Sequence, residues 1–372
     1  MKILIITFDY PDERRSIFPF VKQLVEEWAR QDHECIVVAP YSITSNRGFH
    51  QYRYLVHVES GKDVYVYRPN YISTSNFTIA GINLSKLLHK FAVQRVLKNL
   101  DFKPDLVYCH FWDSAVEALP YVIKNEIPLF VASGESSIPP ISQKISSKLK
   151  DFVRGVICVS SKNRDESISK GLTIKEKCIV IPNAVNGSLF HKEDKEECRK
   201  KLGLPLGSYI VAFVGWFSER KGSMRVSDAI KFTNSNDIYS LFIGKGIESP
   251  NCDNILFIGS LRHDEIPIYL NAADVFVLPT LAEGCCNAIV EAMACGLPII
   301  SSNLPFNWDI LNDDNSILVD PLNIQDLANA IIQLKEDNLL YNKLASNALL
   351  ISKELTIDRR SRKIIEFMKS SI

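Results

Sequence analysis

The chain has no excess charge of either sign: 43 lysines and arginines balance 43 aspartates and glutamates among 372 residues. No global field draws it onto nucleic acid, and a nucleic-acid partner is not expected. No apolar run approaches the ~20 residues of a membrane-spanning helix, which argues against an integral membrane protein. Met1-Lys2 leads at once into Ile3-Leu4-Ile5-Ile6, without the charged start, apolar run and cleavage site of a secretory leader. The nine cysteines are scattered and form no Cys-x-x-Cys pair. That removes the usual zinc spacing and points to reduced core thiols in the cytoplasm. The stretch after the first apolar run holds no glycine, so the Gly-x-Gly-x-x-Gly of a nicotinamide dehydrogenase is missing. Nucleophile triads are missing too.

What is present is ordinary globular composition, 46% hydrophobic and 23% charged, on a chain long enough for two cores. Short β-branched runs alternate with longer helical patterns, the mark of parallel sheets built from βαβ crossovers. Strands are expected at 3–8, 35–39, 64–68, 106–110, 129–132, 155–160 and 178–181. A second set is expected at 209–217, 240–244, 255–258, 275–279, 298–301 and 316–319. Between the sets, 183–188 is turn-rich and 192–201 is charged. The expected domains are therefore 1–188 and 189–357, with a final helix in 358–372. Ligands of such sheets bind beyond the carboxyl ends of the strands.

The most informative segment is Glu283-Gly284-Cys285-Cys286-Asn287-Ala288-Ile289-Val290-Glu291. A strand-like Asp274-Val275-Phe276-Val277-Leu278-Pro279 precedes it, and Ala292-Met293-Ala294-Cys295-Gly296-Leu297-Pro298 follows. Two carboxylates thus flank a small-residue loop and a helix start. A helix N-terminus presents unpaired N–H groups and partial positive charge, a seat for a diphosphate. Small residues at Gly284, Cys285 and Cys286 let the backbone approach phosphate closely, and Asn287 is placed to cap a helix from Ala288.

These words resemble the Glu-x7-Glu signature of family 4 retaining glycosyltransferases. The resemblance implies an α/β fold of the GT-B kind, two Rossmann-like domains whose parallel sheets face an interdomain cleft. The first would be the acceptor side and the second the nucleotide-sugar donor side, with the last helix packing back on the first. Glu283 would meet hydroxyls of the donor sugar, and Glu291 would grip the ribose. Gly215-Trp216-Phe217-Ser218-Glu219-Arg220-Lys221-Gly222 resembles the family's Gly-Arg-x4-Lys-Gly loop, whose cations neutralise the donor diphosphate. Lys221 falls on the lysine, but Trp216 stands at the arginine, and Arg220 is the cation that offers itself instead. The implied catalytic set is Glu283, Lys221 and Arg220, with Gly215, Gly244, Cys285, Cys286, Asn287, Ala288 and Glu291 completing the donor site. Gly244 and Gly246 have a plainer reading as a tight turn.

The first half departs from the family. Arg14 and Arg15 replace the glycine-rich loop, suiting either an anionic acceptor or a solvated turn. No histidine occurs in Val131-Ala132-Ser133-Gly134-Glu135-Ser136, where the family commonly carries one, which leaves Ser133 and Glu135 as acceptor-side candidates. His110 ends the run Val107-Tyr108-Cys109-His110 and joins them. Residues 76–100 mix apolar side chains with Lys86, Lys90, Arg95 and Lys98. They suit either burial on their own sheet or contact with an anionic bilayer.

The expected activity is retaining transfer of a sugar from a nucleotide-diphosphate sugar to a hydroxyl of a sugar or lipid-linked acceptor. It would serve assembly of a cell-surface polysaccharide or glycolipid, in the cytoplasm or at the inner face of the membrane. No cofactor is implied, since the nucleotide-sugar is a substrate. No metal is implied either, because Arg220, Lys221 and a helix terminus can neutralise the diphosphate and no Asp-x-Asp stands in the candidate segments. The rivals are a non-catalytic nucleotide-sugar-binding protein and a nucleotide-sugar epimerase or phosphorylase on the same scaffold.

Overall fold

A computed structural model describes residues 1–12, 18–45, 48–74, 78–79 and 82–372. The chain divides into two compact units, residues 1–181 with 361–372, and residues 182–360.

The sheet of the first unit contains β1 (Lys2–Ile6), β2 (Glu34–Val38), β3 (Arg53–Val56), β4 (Val64–Tyr67), β5 (Leu106–His110), β6 (Leu129–Ser133), β7 (Val153–Cys158) and β8 (Cys178–Val180). Their spatial order is β8-β7-β6-β5-β1-β2-β4-β3. All neighbours are parallel except β3 and β4. The parallel strands are covered on both faces and therefore read as unbroken apolar runs. Ile3, Leu4, Ile5 and Ile6, for example, are all fully buried. The antiparallel edge strand β3 has no such run, only Arg-Tyr-Leu-Val at half burial, and this is why it escaped the sequence reading.

Helices α1 (Pro19–Arg30), α2 (Leu84–Lys98), α3 (Trp112–Asn125), α4 (Gln143–Phe152) and α5 (Ser161–Ser169) accompany this sheet. In α1, Val21, Leu24, Val25, Trp28 and Ala29 are buried at the spacing of one helical face. Phe18 precedes it with φ 57°, a left-handed turn that glycine usually supplies. Of the two readings of 76–100, packing accounts for Val93, Val96 and Leu97 of α2, which join the core of this unit. Phe91 stays 61% exposed, and Phe77 lies outside the described residues.

The second unit contains β9 (Tyr209–Val214), β10 (Ile238–Ile243), β11 (Ile255–Gly259), β12 (Val275–Leu278), β13 (Ile299–Ser302) and β14 (Ser316–Val319). They form one parallel sheet in the order β11-β10-β9-β12-β13-β14. Helices α6 (Lys195–Leu202), α7 (Ser223–Phe232), α8 (Ile266–Ala272), α9 (Asn287–Ala294), α10 (Ile324–Glu336) and α11 (Asn338–Ser352) accompany it. The last helix, α12 (Ile357–Ser370), belongs to the first unit from Ser361 onward. There the Phe367 ring meets that of Phe130 at 6.3 Å, over Gly155, where a Cβ would come within 2.6 Å of Phe367.

Strand order places the sites. In the second unit the chain runs outward from β9 through β10 and β11, then returns to β12 and runs the other way. The order reverses between β9 and β12, and a crevice opens at the carboxyl ends of strands at such a point. The loops leaving those two strands carry Arg220, Lys221 and Glu283. In the first unit the reversal lies between β1 and β5, whose loops carry Phe8, Asp9 and Phe111.

Candidate active site

The strand expected at 209–217 stops at Val214, freeing the following residues as a loop. That loop is tied to the one after β12 by main-chain contacts: Leu281 N donates to Arg220 O at 2.8 Å. Gly222, at φ 81°, ends the loop and starts α7; a Cβ there would come within 2.9 Å of Pro279. Arg225 Nη2 donates to Pro279 O at 2.8 Å. On the far side, Asn183 Nδ2 donates to Cys285 O at 2.8 Å, so the turn 183–188 also holds this loop.

Within this frame Arg220 Nη1 and Lys221 Nζ both reach Glu283 Oε1, each at 2.7 Å. Thr280 Oγ1 lies 3.1 Å from the same oxygen. Lys221 Nζ is also 3.7 Å from Cys286 Sγ, the residue that starts α9. Lys221 and Glu283 are each only 13% exposed at the side chain, whereas Arg220 is 45% exposed. Burial disfavours the Lys221 ammonium, but Cys286 and Glu283 beside it outweigh that cost and raise its pKa. The cluster is thus a pair of cations at a helix N-terminus, held in place by one carboxylate.

Glu291 lies on α9, and its Oε1 is 2.8 Å from His263 Nε2. The ring of Phe190 packs against His263 at 5.0 Å between centroids. Burial opposes a charge on His263, but the Glu291 hydrogen bond and charge prevail, and its pKa is raised above the ordinary value. Both acids of the Glu-x7-Glu segment are therefore about nine-tenths covered, and each carries a cationic or ionisable partner.

The sequence reading missed His263 and Thr280. His263 lies beside Asp264 and Glu265 at the head of α8, where nothing marks it as a partner of a residue 28 positions on. Thr280 is fully buried and follows Pro279 at a strand end, a weak signal that only the ion cluster makes meaningful.

One expectation needs correction. Asn287 is not the cap of α9: Cys286, with φ −82° and ψ 115°, takes that place, and Asn287 is the first helical residue. No side-chain hydrogen bond caps this helix, and Ala288 is its second residue. Packing by itself requires glycine at positions 244 and 246. A Cβ on Gly244 would lie 1.9 Å from Gly215 O, and one on Gly246 would lie 2.0 Å from Phe217 O. Gly215 and Gly244 thus allow the loops after β9 and β10 to touch.

In the first unit Ser133 is fully buried. Its Oγ accepts from Trp112 Nε1 at 3.1 Å and lies 3.3 Å from Ser167 Oγ. This is a framework role, not a surface offered to an acceptor. Glu135 likewise accepts from Trp112 N at 2.8 Å, capping the start of α3, and from Gly134 N at 3.0 Å. Burial pushes its carboxyl up to about 7 against the pull of these hydrogen bonds. His110 is buried among the rings of Phe20 and Phe111, with centroids at 5.2 and 4.5 Å. Arg14 and Arg15 lie outside the described residues.

Seven of the nine cysteines are buried, in keeping with thiols that serve as small core residues. Among the described residues no group of three or more His, Cys, Asp or Glu side chains is disposed to hold a metal ion. Nor is any helix among them long and apolar enough to cross a membrane.

Comparison with known proteins bears on both halves. Residues 194–350 match the group 1 glycosyl transferases, and residues 19–188 match Glycosyltransferase Family 4. A glycosyltransferase assigned to teichuronic acid biosynthesis in Bacillus subtilis (strain 168) is 26% identical over 93% of this chain and 92% of its own. The Escherichia coli UDP-Gal:alpha-D-GlcNAc-diphosphoundecaprenol alpha-1,3-galactosyltransferase is 31% identical over 50% of this chain and 52% of its own. Anabaena HepE, solved in complex with UDP, is similar over 100% of both chains, with a TM-score of 0.75 and 20% identity. That likeness concerns the fold, which is GT-B with two Rossmann-like domains. The ion cluster, the Glu-x7-Glu segment and His263 all fall within the first of the two family matches. The chain is a glycosyltransferase and belongs to glycosyltransferase family 4.

Proposed function

We propose that the protein moves a sugar from a nucleotide-diphosphate sugar to a hydroxyl of a sugar or lipid-linked acceptor, with retention of configuration and without an essential metal. The product would be a cell-surface polysaccharide or glycolipid. The observation that carries this reading is the convergence of Arg220 and Lys221 on one carboxylate oxygen, each at 2.7 Å, beside the start of α9. A diphosphate can replace Glu283 as their common anion. Glu283, released, is then free to accept hydrogen bonds from hydroxyls of the donor sugar. Glu291 accepts from the ribose hydroxyls, with His263 fixing its orientation.

Arg220 and Lys221 stabilise the charge that develops on the leaving diphosphate as the bond from C1 to phosphate oxygen breaks. The acceptor oxygen bonds to C1 on the same face, and its proton passes to the departing phosphate. No protein base is needed for that step. Neutralisation by two cations and a helix terminus supports independence from metal. The alpha-1,3 bond in the name of the E. coli relative, made from UDP-Gal, is what retention gives from an alpha-linked donor. The lipid diphosphate in that name supports a lipid-linked acceptor here. Such an acceptor would bring the enzyme to the inner face of the membrane from the cytoplasm, where Lys86, Lys90, Arg95 and Lys98 of α2 supply positive charge.

A thermal-shift screen of UDP-, GDP- and ADP-sugars against wild type and Lys221→Ala tests the donor site. One donor should stabilise the wild type and lose its effect in the variant; stabilisation of both alike would overturn the assignment. Incubation of that donor with acceptors in the presence of a chelator, with NMR of the product's anomeric proton, tests the rest. An inverted linkage, or activity abolished by chelation, would refute the finer claims. Binding without transfer to any acceptor would favour a non-catalytic protein.

A further inference from the structure

Three donors meet Glu283, and their contacts gather on one of its two oxygens. Arg220 Nη1 and Lys221 Nζ reach Oε1 at 2.7 Å, and Thr280 Oγ1 lies 3.1 Å from it. A carboxylate oxygen offers two lone pairs. The cations are the nearer and the charged donors, so the Thr280 hydroxyl is the one in excess. That hydroxyl has a single proton and a second acceptor in reach, Arg220 O at 3.2 Å. The loop does not depend on it there, because Arg220 O already accepts from Leu281 N at 2.8 Å. Thr280 therefore carries a donor that the main chain can spare and that the ion cluster only half uses.

The place of that hydroxyl is fixed from behind. Thr280 is fully buried, and branching at Cβ restricts its side-chain rotation. Its carbonyl accepts from the hydroxyl of Ser302, the last residue of the neighbouring strand β13, at 2.6 Å. Asn307 Nδ2 in turn donates to Ser302 O at 2.8 Å. Ser302 and Asn307 are both fully buried as well. Burying such groups costs hydration that their hydrogen bonds only return, and this series of buried polar groups ends on the Glu283 carboxylate.

We infer that Thr280 is a positioning residue for Glu283, taking hold of Oε1 when a diphosphate draws Arg220 and Lys221 away. The inference rests on the proposed exchange of Glu283 for diphosphate at the two cations, and adds to it what keeps the released carboxylate in place. Departure of the cations frees the lone pairs of Oε1, and the Thr280 proton turns from Arg220 O to one of them. Oε1 stays tethered, and Oε2 is presented to a hydroxyl of the donor sugar. Without the tether the sugar has to order the carboxylate itself, against the rotamer entropy of a free glutamate. Contacts to the nucleotide are left as they were.

The test is a double-mutant cycle on the full chain. Wild type, Thr280→Val, Glu283→Ala and the double variant are titrated calorimetrically with UDP, GDP and ADP and with UDP-glucose, UDP-galactose, UDP-N-acetylglucosamine, GDP-mannose and ADP-glucose. The quantity read is the affinity for a nucleotide-sugar divided by that for its nucleoside diphosphate. Thr280→Val keeps the shape and loses the hydroxyl, and should lower this quotient about five- to tenfold, equivalent to ~1–1.4 kcal/mol. Affinity for the diphosphate alone should stay within about threefold, since a released carboxylate with no sugar to meet is hydrated by water. In the Glu283→Ala background the same substitution should change the quotient less than about twofold, and Thr280→Ser should restore most of the wild-type value. A merely structural threonine would act equally in both backgrounds. Ser302→Ala, which slackens the Thr280 carbonyl, should lower the quotient about threefold and decides the matter if Thr280→Val does not fold. An unchanged quotient in the variants that fold, or an equal fall in both backgrounds, overturns the inference and leaves the donor reading standing. Failure of the wild type to bind any of these nucleotide-sugars overturns both.

Discussion

Neutralising Glu283 separates its two parts in the proposed mechanism, as present partner of the cations and as later partner of the sugar. Its Oε1 holds Lys221 and Arg220, each at 2.7 Å. The Lys221 contact is well covered, and a hydrogen bond to a charged group contributes about 1.5–3 kcal/mol. The Arg220 contact is 45% exposed on the arginine side, and such a pair contributes at most ~1 kcal/mol. Glu283→Gln keeps the shape and an acceptor for Thr280 but removes the charge, so the free protein should lose about 2–3 kcal/mol of stability. An incoming diphosphate no longer competes with a carboxylate for the two cations. If half of that loss is recovered on binding, UDP affinity rises roughly tenfold, at ~1.4 kcal/mol per decade. Transfer moves the other way. The variant lacks the charged acceptor for sugar hydroxyls, and a loss on the order of 100-fold in kcat corresponds to ~2.7 kcal/mol. Calorimetric titration with UDP, alongside steady-state transfer, reads both, and the gain in affinity should shrink with added salt as screening grows. Weaker or unchanged UDP binding in the variant would refute the exchange of Glu283 for diphosphate. Undiminished turnover would refute its place at the sugar.

Glu291→Ala should weaken nucleotide binding severalfold and cost about 1.5–3 kcal/mol of UDP-independent stability, as for a largely covered hydrogen bond to a charged group; calorimetry and thermal unfolding check the two. In Glu291→Gln the pKa of His263 should fall, because burial then acts without the offsetting charge, and the ring resonances report it by NMR. A raised folded pKa stabilises below the unfolded value of ~6.5 and ceases to as pH climbs through the folded value. Wild type should therefore exceed this variant in unfolding free energy by more at pH 5.5 than at pH 9. Glu135, held up to about 7 by burial, gives a second pH signature. Its neutral form stabilises the fold at low pH, and that contribution fades as pH rises through about 7. The stability of wild type relative to Glu135→Gln should thus decline from pH 5 to pH 9, and a constant difference would refute the shift. Gly244→Ala should cost roughly 2–4 kcal/mol from overpacking and backbone strain, with weaker UDP binding as the loop after β9 is pushed away.

Much of the architecture is legible because parallel strands are buried on both sides. Runs such as Ile3 to Ile6, Val275 to Leu278 and Ile210 to Val214 have no competing explanation as amphipathic helices. The edge strand Arg53–Val56 was illegible for the opposite reason: one covered face and an open edge leave no unbroken run. The loops are subtler. Phe18 takes a left-handed turn where glycine would be usual, with its ring against those of Phe20 and Phe111 at 5.5 and 5.7 Å. That Cys286 rather than Asn287 starts α9 turns on one residue's ψ, which composition does not encode.

Residue type and spacing alone determined the family, the pair of acids, the lysine of the loop after β9 and the zero net charge of the chain. These are local properties of short stretches. The tertiary structure decided which groups meet. It put Arg220 beside Lys221 on a carboxylate 63 residues away, paired Glu291 with His263, and withdrew Ser133 into the framework of α3. The reason is that these contacts link loops leaving different strands. Their partners are chosen by the order of strands in the sheet, and that order is a property of the whole fold.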